Sequence, residues 1–175
     1  MKIRVYVSNL GAYTRGGVNG KWLEMPMDKA ELSCIIDEIL DTKYRDEEYF
    51  ITDYEAPFCI NEYENIFSLN ELAQELDEVE EDENIVSLIA DDVLGSGYDR
   101  NELARILRAK EYSIVSDAWS EQDLALKVDE ELLPFDYSRV RDTNIADYLD
   151  WEAIGRSMVL DGWLLKNGVG VRVYM

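Results

Sequence analysis

Apolar and polar residues alternate at the start of the chain, where Ile3, Val5 and Val7 are each followed by a more polar residue. A period of two predicts a half-buried strand, since successive side chains of a strand point to opposite faces. Residues 21–25 and 49–55 are rich in the same residue types and also suit strands. The pattern therefore predicts a small sheet of three strands.

A helical pattern lies between the second and third predicted strands. Asp28 and Glu31 have the spacing of a capping box, and the residues after them predict an apolar helix face. This face consists of Leu32, Ile35, Ile36, Ile39 and Leu40. Residues 1–66 are therefore predicted to form an N-terminal unit with one helix packed on the sheet.

Helical spacing dominates the middle of the chain, residues 67–110. Leu72, Leu76 and Val79 share one face of a predicted helix that runs through 71–83 and opens with a capping box at Ser68 and Glu71. A second helix should end at Gly95, and a third should begin at Asp99 and Glu102. We expect this segment to form an acidic helical unit.

The last segment, residues 111–175, returns to a mixed pattern. A strand at 112–115 precedes predicted helices at 121–132 and 144–159, and Asn167-Gly168 between apolar runs indicates a hairpin. The fold class is therefore α+β. We predict an elongated chain of three small units, with residues 1–66, 67–110 and 111–175 as their bounds.

Composition narrows the possible functions. The chain has 175 residues and 47% hydrophobic residues, which is enough for a core, but its formal net charge is −21. This charge argues against binding to nucleic acid or to an anionic membrane. No apolar run is long enough to span a bilayer and no signal peptide is recognisable, so we expect a cytoplasmic protein. Cys34 and Cys59 are predicted to be buried thiols.

The excess charge is concentrated in the middle of the sequence. Between residues 37 and 99, 21 acidic residues face 2 basic ones, a net charge of −19, whereas the remaining residues hold 17 acids and 15 bases, a net of −2. A solvated helix face would explain an acidic run of ordinary length. A surface for a basic partner explains the near absence of bases over more than sixty residues. The candidate residues of this partner-binding acidic surface are Asp46, Glu47, Glu48, Asp53, Glu55, Glu62, Glu64, Glu71, Glu75, Asp77, Glu78, Glu80, Glu81, Asp82, Glu83, Asp91, Asp92 and Asp99.

Catalytic and metal-binding motifs find little support. The chain contains no histidine, which removes the usual general base and the nucleophile pairs that depend on it. The acidic run lacks the central glycine of an EF-hand loop, and the glycines at 16–20 lack the Lys-Ser/Thr ending of a P-loop. We expect no catalytic residue, no cofactor and no dedicated metal site. An enzyme that uses carboxylates or a metal stays open as a third hypothesis.

Five stretches of the sequence stand out in order, namely 5–13, 20–22 with Pro26, 53–58, 61–63 and 148–156. Together they resemble the ArdA-type antirestriction proteins. The resemblance implies an elongated homodimer that mimics DNA and occupies the DNA-binding groove of type I restriction-modification enzymes, chiefly their methyltransferase core. It also implies a dimer contact within 111–175, an origin on mobile genetic elements, and no catalysed reaction. A generic acidic module for another basic protein, such as a toxin or a nucleoid protein, is the alternative.

The last of these stretches resembles the antirestriction segment of that family. Two interpretations stay open, namely direct contact with the target and a structural role. In the structural interpretation Ile145, Tyr148, Leu149, Ala153 and Ile154 form a buried helix face, Gly155 allows close approach, and Arg156 pairs with Asp150 or Glu152. The residues assigned to the segment are Tyr148, Asp150, Trp151, Glu152, Ala153, Gly155 and Arg156.

Overall fold

The computed structural model describes residues 2–40 and 48–174 of the chain. It has the predicted α+β class, with two three-stranded antiparallel sheets and seven α-helices in the described part. The chain divides into two compact units, Met1–Glu83 and Asn84–Met175. The boundary between them falls inside the range 67–110.

In its described residues, 2–40 and 48–83, the first unit contains one sheet and three helices. Its strands follow the order β2-β1-β3, and β1 pairs antiparallel with both neighbours. The three strands expected from the alternation are confirmed. The elements are β1 (Ile3–Asn9), α1 (Leu10–Thr14), β2 (Gly20–Met25), α2 (Lys29–Ile39), β3 (Tyr49–Glu55) and α3 (Ile66–Leu76).

The core of the first unit comes from the inward positions of the sheet and the apolar faces of α2 and α3. Ile3, Val5 and Val7 are at most 1% exposed, and each such burial contributes about 1.5 to 3 kcal/mol. A buried amide joins α3 to the residues before α2. Asn70 donates to the carbonyl oxygen of Met27 and accepts from its N–H, both at 2.9 Å.

Helix starts follow the predicted caps at two of three places. Asp28 accepts from the N–H groups of Ala30 and Glu31, and Asp99 caps its helix in the same way. The predicted cap at Ser68 is wrong. α3 begins earlier, at Ile66, because the side chain of Asn65 accepts from two free N–H groups of the first turn.

The predicted helix across 71–83 is also wrong beyond Leu76. α3 ends there, and residues 77–82, which we call the acidic linker, are turn and irregular backbone before the next helix begins at Glu83. A helix C-terminus carries a partial negative charge and an N-terminus a partial positive one. Acids therefore oppose the continuation of α3 but favour the start of the next helix, whose first turn contains Glu83.

The second unit contains the other sheet, in the order β4-β6-β5, and four helices. The predicted hairpin is confirmed, with β5 and β6 joined by Asn167 and Gly168 at φ of 54° and 78°, the left-handed values of a type I′ turn. The elements are α4 (Glu83–Gly95, whose first residue belongs to the first unit), α5 (Arg100–Ala109), β4 (Tyr112–Ser116), α6 (Glu121–Lys127), α7 (Trp151–Leu160), β5 (Trp163–Lys166) and β6 (Val169–Val173).

Two helices of the second unit are shorter than predicted. α6 ends at Lys127 rather than 132, and a separate 3₁₀ turn covers Glu130–Leu132. α7 begins at Trp151 rather than 144, because Asp150 caps it by accepting from the N–H of Ala153 at 3.0 Å. Both helices pack on a core that includes Leu124, Met158 and Trp163.

The two cysteines are not buried, contrary to the expectation. Cys34 and Cys59 are both exposed. Cys34 lies on the outward face of α2, between buried positions Leu32 and Ile36. The exposure of Cys34 is therefore set by its position on the helix and not by the hydrophobicity of its side chain.

Candidate functional site

Acidic side chains cover much of the described surface of the first unit. They come from β3 and the segments on either side of it, from α3, from the acidic linker and from the first residue of α4. Most of them are exposed, and only Glu64 and Glu81 are half-buried. Asp46 and Glu47 lie outside the described residues. The described acids of the predicted surface in this unit are Glu48, Asp53, Glu55, Glu62, Glu64, Glu71, Glu75, Asp77, Glu78, Glu80, Glu81, Asp82 and Glu83.

Some of these carboxylates already have partners within the unit. Glu55 accepts from Arg4 at 2.6 Å, and Glu71 pairs with Lys29 at 3.3 Å. One oxygen of Glu64 accepts from the backbone N–H of Asn61 at 3.1 Å. These acids therefore hold local structure, and the two exposed ion pairs each contribute about 0 to 1 kcal/mol.

The acidic linker holds its carboxylates differently. The side chain of Val79 is buried, and its N–H donates to the carbonyl of Leu76 at 3.1 Å. Asp77, Glu78 and Glu80 flank this anchor and are exposed. Within residues 2–40 and 48–174, no ion pair is found for these three. The linker thus presents charge that the described part of the fold does not neutralise.

The regular helical spacing expected of these acids is limited to α3. Glu71 and Glu75 lie one turn apart on this helix and are both exposed, which places such side chains about 5 to 6 Å apart. Residues 77–82 have no helical repeat. The carboxylates therefore have regular helical spacing in α3 alone, whereas those of the linker are close together in sequence without a helical repeat.

The candidate acids of the second unit have more specific surroundings. Asp91 pairs with Lys166 at 3.5 Å, and Asp99 caps α5 through the N–H groups of Asn101 and Glu102. Partial burial of Asp92 disfavours its charged form and raises the pKa of its carboxyl. Asp91 and Asp99 therefore hold local structure, whereas the charge of Asp92 opposes folding.

Asp92→Asn should stabilise the protein slightly at neutral pH. The pKa of Asp92 is raised in the folded state, so its charged carboxylate destabilises the fold at pH 7. This destabilisation is lost as the pH falls through the folded-state pKa and then the unfolded-state pKa, because the carboxyl is then protonated in both states. Thermal unfolding should show a Tm higher by a few degrees at most at pH 7, and no difference near pH 3, where the aspartate is protonated in both states. Asp91→Asn is the matched control, since it removes an ion pair with Lys166. An equal gain from both variants would contradict the burial argument.

The formal charge differs between the two units. Residues 1–83 hold 21 acids and 7 bases, a charge of −14, and residues 84–175 hold 17 acids and 10 bases, a charge of −7. The first unit therefore carries two thirds of the total. Repulsion between exposed carboxylates works against a compact fold, which makes this concentration costly for stability alone.

The segment 148–156 packs α7 against α6. Gly155 is buried, and a Cβ atom there would lie 1.8 Å from the carbonyl oxygen of Glu121. Arg156 pairs with Glu152 at 3.0 Å and with the carboxylate of Glu121 at 3.4 Å. The predicted roles of Gly155 and of the Glu152 pair are confirmed.

The buried helix face predicted for this segment is wrong as a whole, although Ile154 is half-buried and packs against the core. Ile145 is 54% exposed and Tyr148 is 85% exposed, because both precede α7, and Tyr148 belongs to a separate 3₁₀ turn. Ala153 is on the helix but is exposed. Half-buried Trp151 packs instead, edge to face with Tyr137 at 5.5 Å between ring centroids.

Glu121 is the residue of this arrangement that the sequence does not reveal. It is the first residue of α6, and both its backbone oxygen and its carboxylate face α7. More than thirty positions separate it from Gly155. No period or local motif connects residues so far apart, so only the tertiary packing identifies the contact.

Within 2–40 and 48–174, no group of three or more acidic or cysteine side chains is placed to hold a metal ion. Over the same residues, none of the helices combines the length and apolar character needed to cross a bilayer.

Comparison with known families identifies one match. Residues 5–171 match the family described as antirestriction protein (ArdA). Comparison with curated proteins yields no match. The family match spans the strands of the first unit, the acidic linker and the α6–α7 pair. Since it covers nearly the whole chain, the protein belongs to the ArdA family of antirestriction proteins.

Proposed function

We propose that this protein inhibits type I restriction-modification enzymes by occupying the groove that binds DNA, chiefly in their methyltransferase core. The observation that carries the proposal is the acidic linker, in which the exposed carboxylates of Asp77, Glu78 and Glu80 have no ion pair among the described residues. Family membership supports the antirestriction function. The charge of the first unit supports the choice of a DNA-binding groove, because such a groove is lined with Lys and Arg.

The amount of charge fits this role for a homodimer. Twice −21 is −42, which equals the charge on about 70 Å of duplex at about one charge per 1.7 Å. Exposed apolar side chains in 111–175 support placing the dimer contact there. Trp119, Tyr148 and Leu160 are 73%, 85% and 83% exposed. Inhibition then needs no catalysed reaction and takes place in the cytoplasm, where restriction occurs.

Competition with duplex measures this function directly. A fluorescently labelled duplex with the recognition site is bound to a purified type I methyltransferase, and the protein is added at low salt. We expect displacement at close to one dimer per enzyme, weakening steeply as salt rises because exposed charges are screened beyond about 10 Å at 0.1 M.

The control is a DNA-binding protein of unrelated fold on its own duplex. No displacement from the methyltransferase at low salt would rule out the proposed mechanism. Equal displacement from both complexes would support the alternative, a generic acidic module for basic proteins.

A further inference from the structure

A groove of about 540 Å³ lies on the first unit beside β1 and β3. Its walls come from these strands, from α1 and the glycine-rich turn after it, and from the segment that follows β3. Its volume lies within the range of about 300 to 1,000 Å³ typical of ligand sites. All the residues that line the groove belong to the first unit.

The lining combines aromatic rings with carboxylates. Tyr6, Tyr13 and Phe50 line the groove together with Asp53 and Glu62. Among the described residues that line it, there is no Lys or Arg. Aromatic faces and carboxylates both attract cations, so the lining suits a positively charged ligand with a flat apolar surface.

Local structure directs the two carboxylates to this place. The pairing register between β1 and β3 shifts after Tyr6, which faces Asp53, so that Thr52 is an extra residue in β3. Such a bulge re-aims the side chains beside it. Glu62 is held at the edge of β3, because its carbonyl oxygen accepts from the N–H of Ile51 at 2.7 Å.

Both carboxylates retain oxygens for an external donor. Asp53 uses Oδ1 to accept from the N–H of Tyr54 at 2.9 Å. Within residues 2–40 and 48–174, neither Oδ2 of Asp53 nor the carboxylate of Glu62 has a protein partner. The hydroxyls of Ser8 and Thr52, 3.3 Å apart, add further polar atoms to the lining.

We propose that this groove receives an arginine side chain presented by a protein partner. A guanidinium group is planar and weakly hydrated, stacks on aromatic rings and donates to carboxylates through several N–H groups. An apolar ligand would desolvate Asp53 and Glu62 without compensating their charge. The identity of the partner rests on the function proposed above, whereas the cation-binding chemistry of the groove rests on its lining alone.

The binding of arginine is tested on the full chain without any restriction enzyme. The ¹⁵N-labelled protein is titrated with N-acetyl-arginine amide and, in parallel, with N-acetyl-citrulline amide, which has the same shape but no charge. We expect the arginine probe to shift the amide resonances of Tyr6, Asp53 and Glu62, with saturation in the millimolar range, and the citrulline probe to leave them in place. Equal shifts from both probes would overturn the proposal.

Two double variants separate the groove from general acidity. Asp53→Asn with Glu62→Gln should weaken binding of the arginine probe by at least about fivefold, as expected for two solvent-accessible charge contacts. Glu78→Gln with Glu80→Gln changes the net charge equally outside the groove and should leave binding within about twofold. Equal weakening by both pairs would show nonspecific attraction and contradict the proposal. All four acids are exposed, and the same spectra report whether each variant is folded.

The role toward the partner has its own measurement. In the duplex-displacement assay, the Asp53→Asn, Glu62→Gln variant should require about fivefold more protein than the wild type. An unchanged requirement would overturn the assignment of a partner arginine to the groove. Failure of wild-type displacement, with probe binding intact, would instead overturn the proposed function and leave the groove as a guanidinium site.

Discussion

Gly155→Ala should destabilise the second unit by about 3 kcal/mol or more. The new Cβ atom would lie 1.8 Å from the carbonyl oxygen of Glu121 and 2.4 Å from its carbonyl carbon. These are backbone atoms that cannot rotate away, so α7 has to move off α6. Overpacking of this kind costs about 1 to 3 kcal/mol and sometimes more. In thermal unfolding we expect a Tm lower by roughly 10 °C or more.

The direction of this change is informative because intrinsic propensity acts against it. Within a helix, alanine is favoured over glycine by about 1 kcal/mol, so a position without steric contact would become more stable. Ser157→Ala is the matched control, since Ser157 is exposed on the same helix. Its effect should stay within about 0.5 kcal/mol. A Gly155→Ala protein as stable as the wild type would disprove the close approach of the two helices.

The contact of α6 with α7 also bears on the antirestriction segment. Gly155 and Arg156 both contact Glu121. Gly155 lies against the backbone of Glu121, and Arg156 pairs with the carboxylate of Glu121. We infer that these two residues act by positioning α7, while exposed Tyr148 just before the helix is the member of the segment best placed for contact with another protein. A Gly155→Ala protein that is less stable, but whose folded fraction still inhibits its target specifically, would support these separate roles.

Sequence patterns predict an element correctly where a single local interaction determines its structure. The alternation of Ile3, Val5 and Val7 predicts β1 because only one face of the strand is fully buried over residues 3–7. Asp28 and Asp99 were recognised as caps because a short acceptor side chain satisfies free N–H groups regardless of tertiary context. The turn at Asn167 follows from its left-handed backbone in the same way.

Predictions of element bounds are wrong where two local effects act in opposite directions. Leu72, Leu76 and Val79 have helical spacing, and all three are buried, yet α3 ends at Leu76. The apolar period predicts burial correctly, whereas the acids after Leu76 oppose the negative end of the helix. The α7 boundary was misplaced for a similar reason, because the cap at Asp150 outweighs the apolar residues before it.

The candidate surface was predicted in composition but not in form. The excess of acids was readable from the sequence, as was the absence of nearby bases. The sequence does not show which carboxylates are paired, since Arg4, the partner of Glu55, and Lys29, the partner of Glu71, lie more than forty residues away in the chain. The groove with Asp53 and Glu62 depends on a bulge and on a backbone hydrogen bond, neither of which has a sequence signature here.

Neutralising the acidic linker and its flank should weaken displacement of duplex by about tenfold to a hundredfold at low salt. The variant carries Asp77→Asn, Glu78→Gln, Glu80→Gln and Glu83→Gln. Each exposed charge contact with a basic groove is worth about 0.2 to 1 kcal/mol, and four of them together give an effect of this size. Displacement is measured as the protein concentration that releases half of the labelled duplex from the methyltransferase.

The fold should tolerate the four changes. Their side chains are exposed, and the anchor of the linker is the buried Val79, which is retained. Removing like charges relieves repulsion, whereas losing the charge of Glu83 weakens the first turn of α4, so the Tm of the variant should stay within a few degrees of the wild type. A larger loss of stability would show that these carboxylates hold the fold together through contacts of their own.

A charge-matched control separates position from net charge. Asp129→Asn, Glu131→Gln, Asp142→Asn and Asp147→Asn remove four exposed acids of the second unit and change the net charge by the same amount. If the acidic linker binds the target, this control should displace duplex within about threefold of the wild type, since long-range attraction alone is screened within about 10 Å at 0.1 M salt. Equal weakening by both variants would mean that total charge, rather than the placement of carboxylates around Val79, governs inhibition.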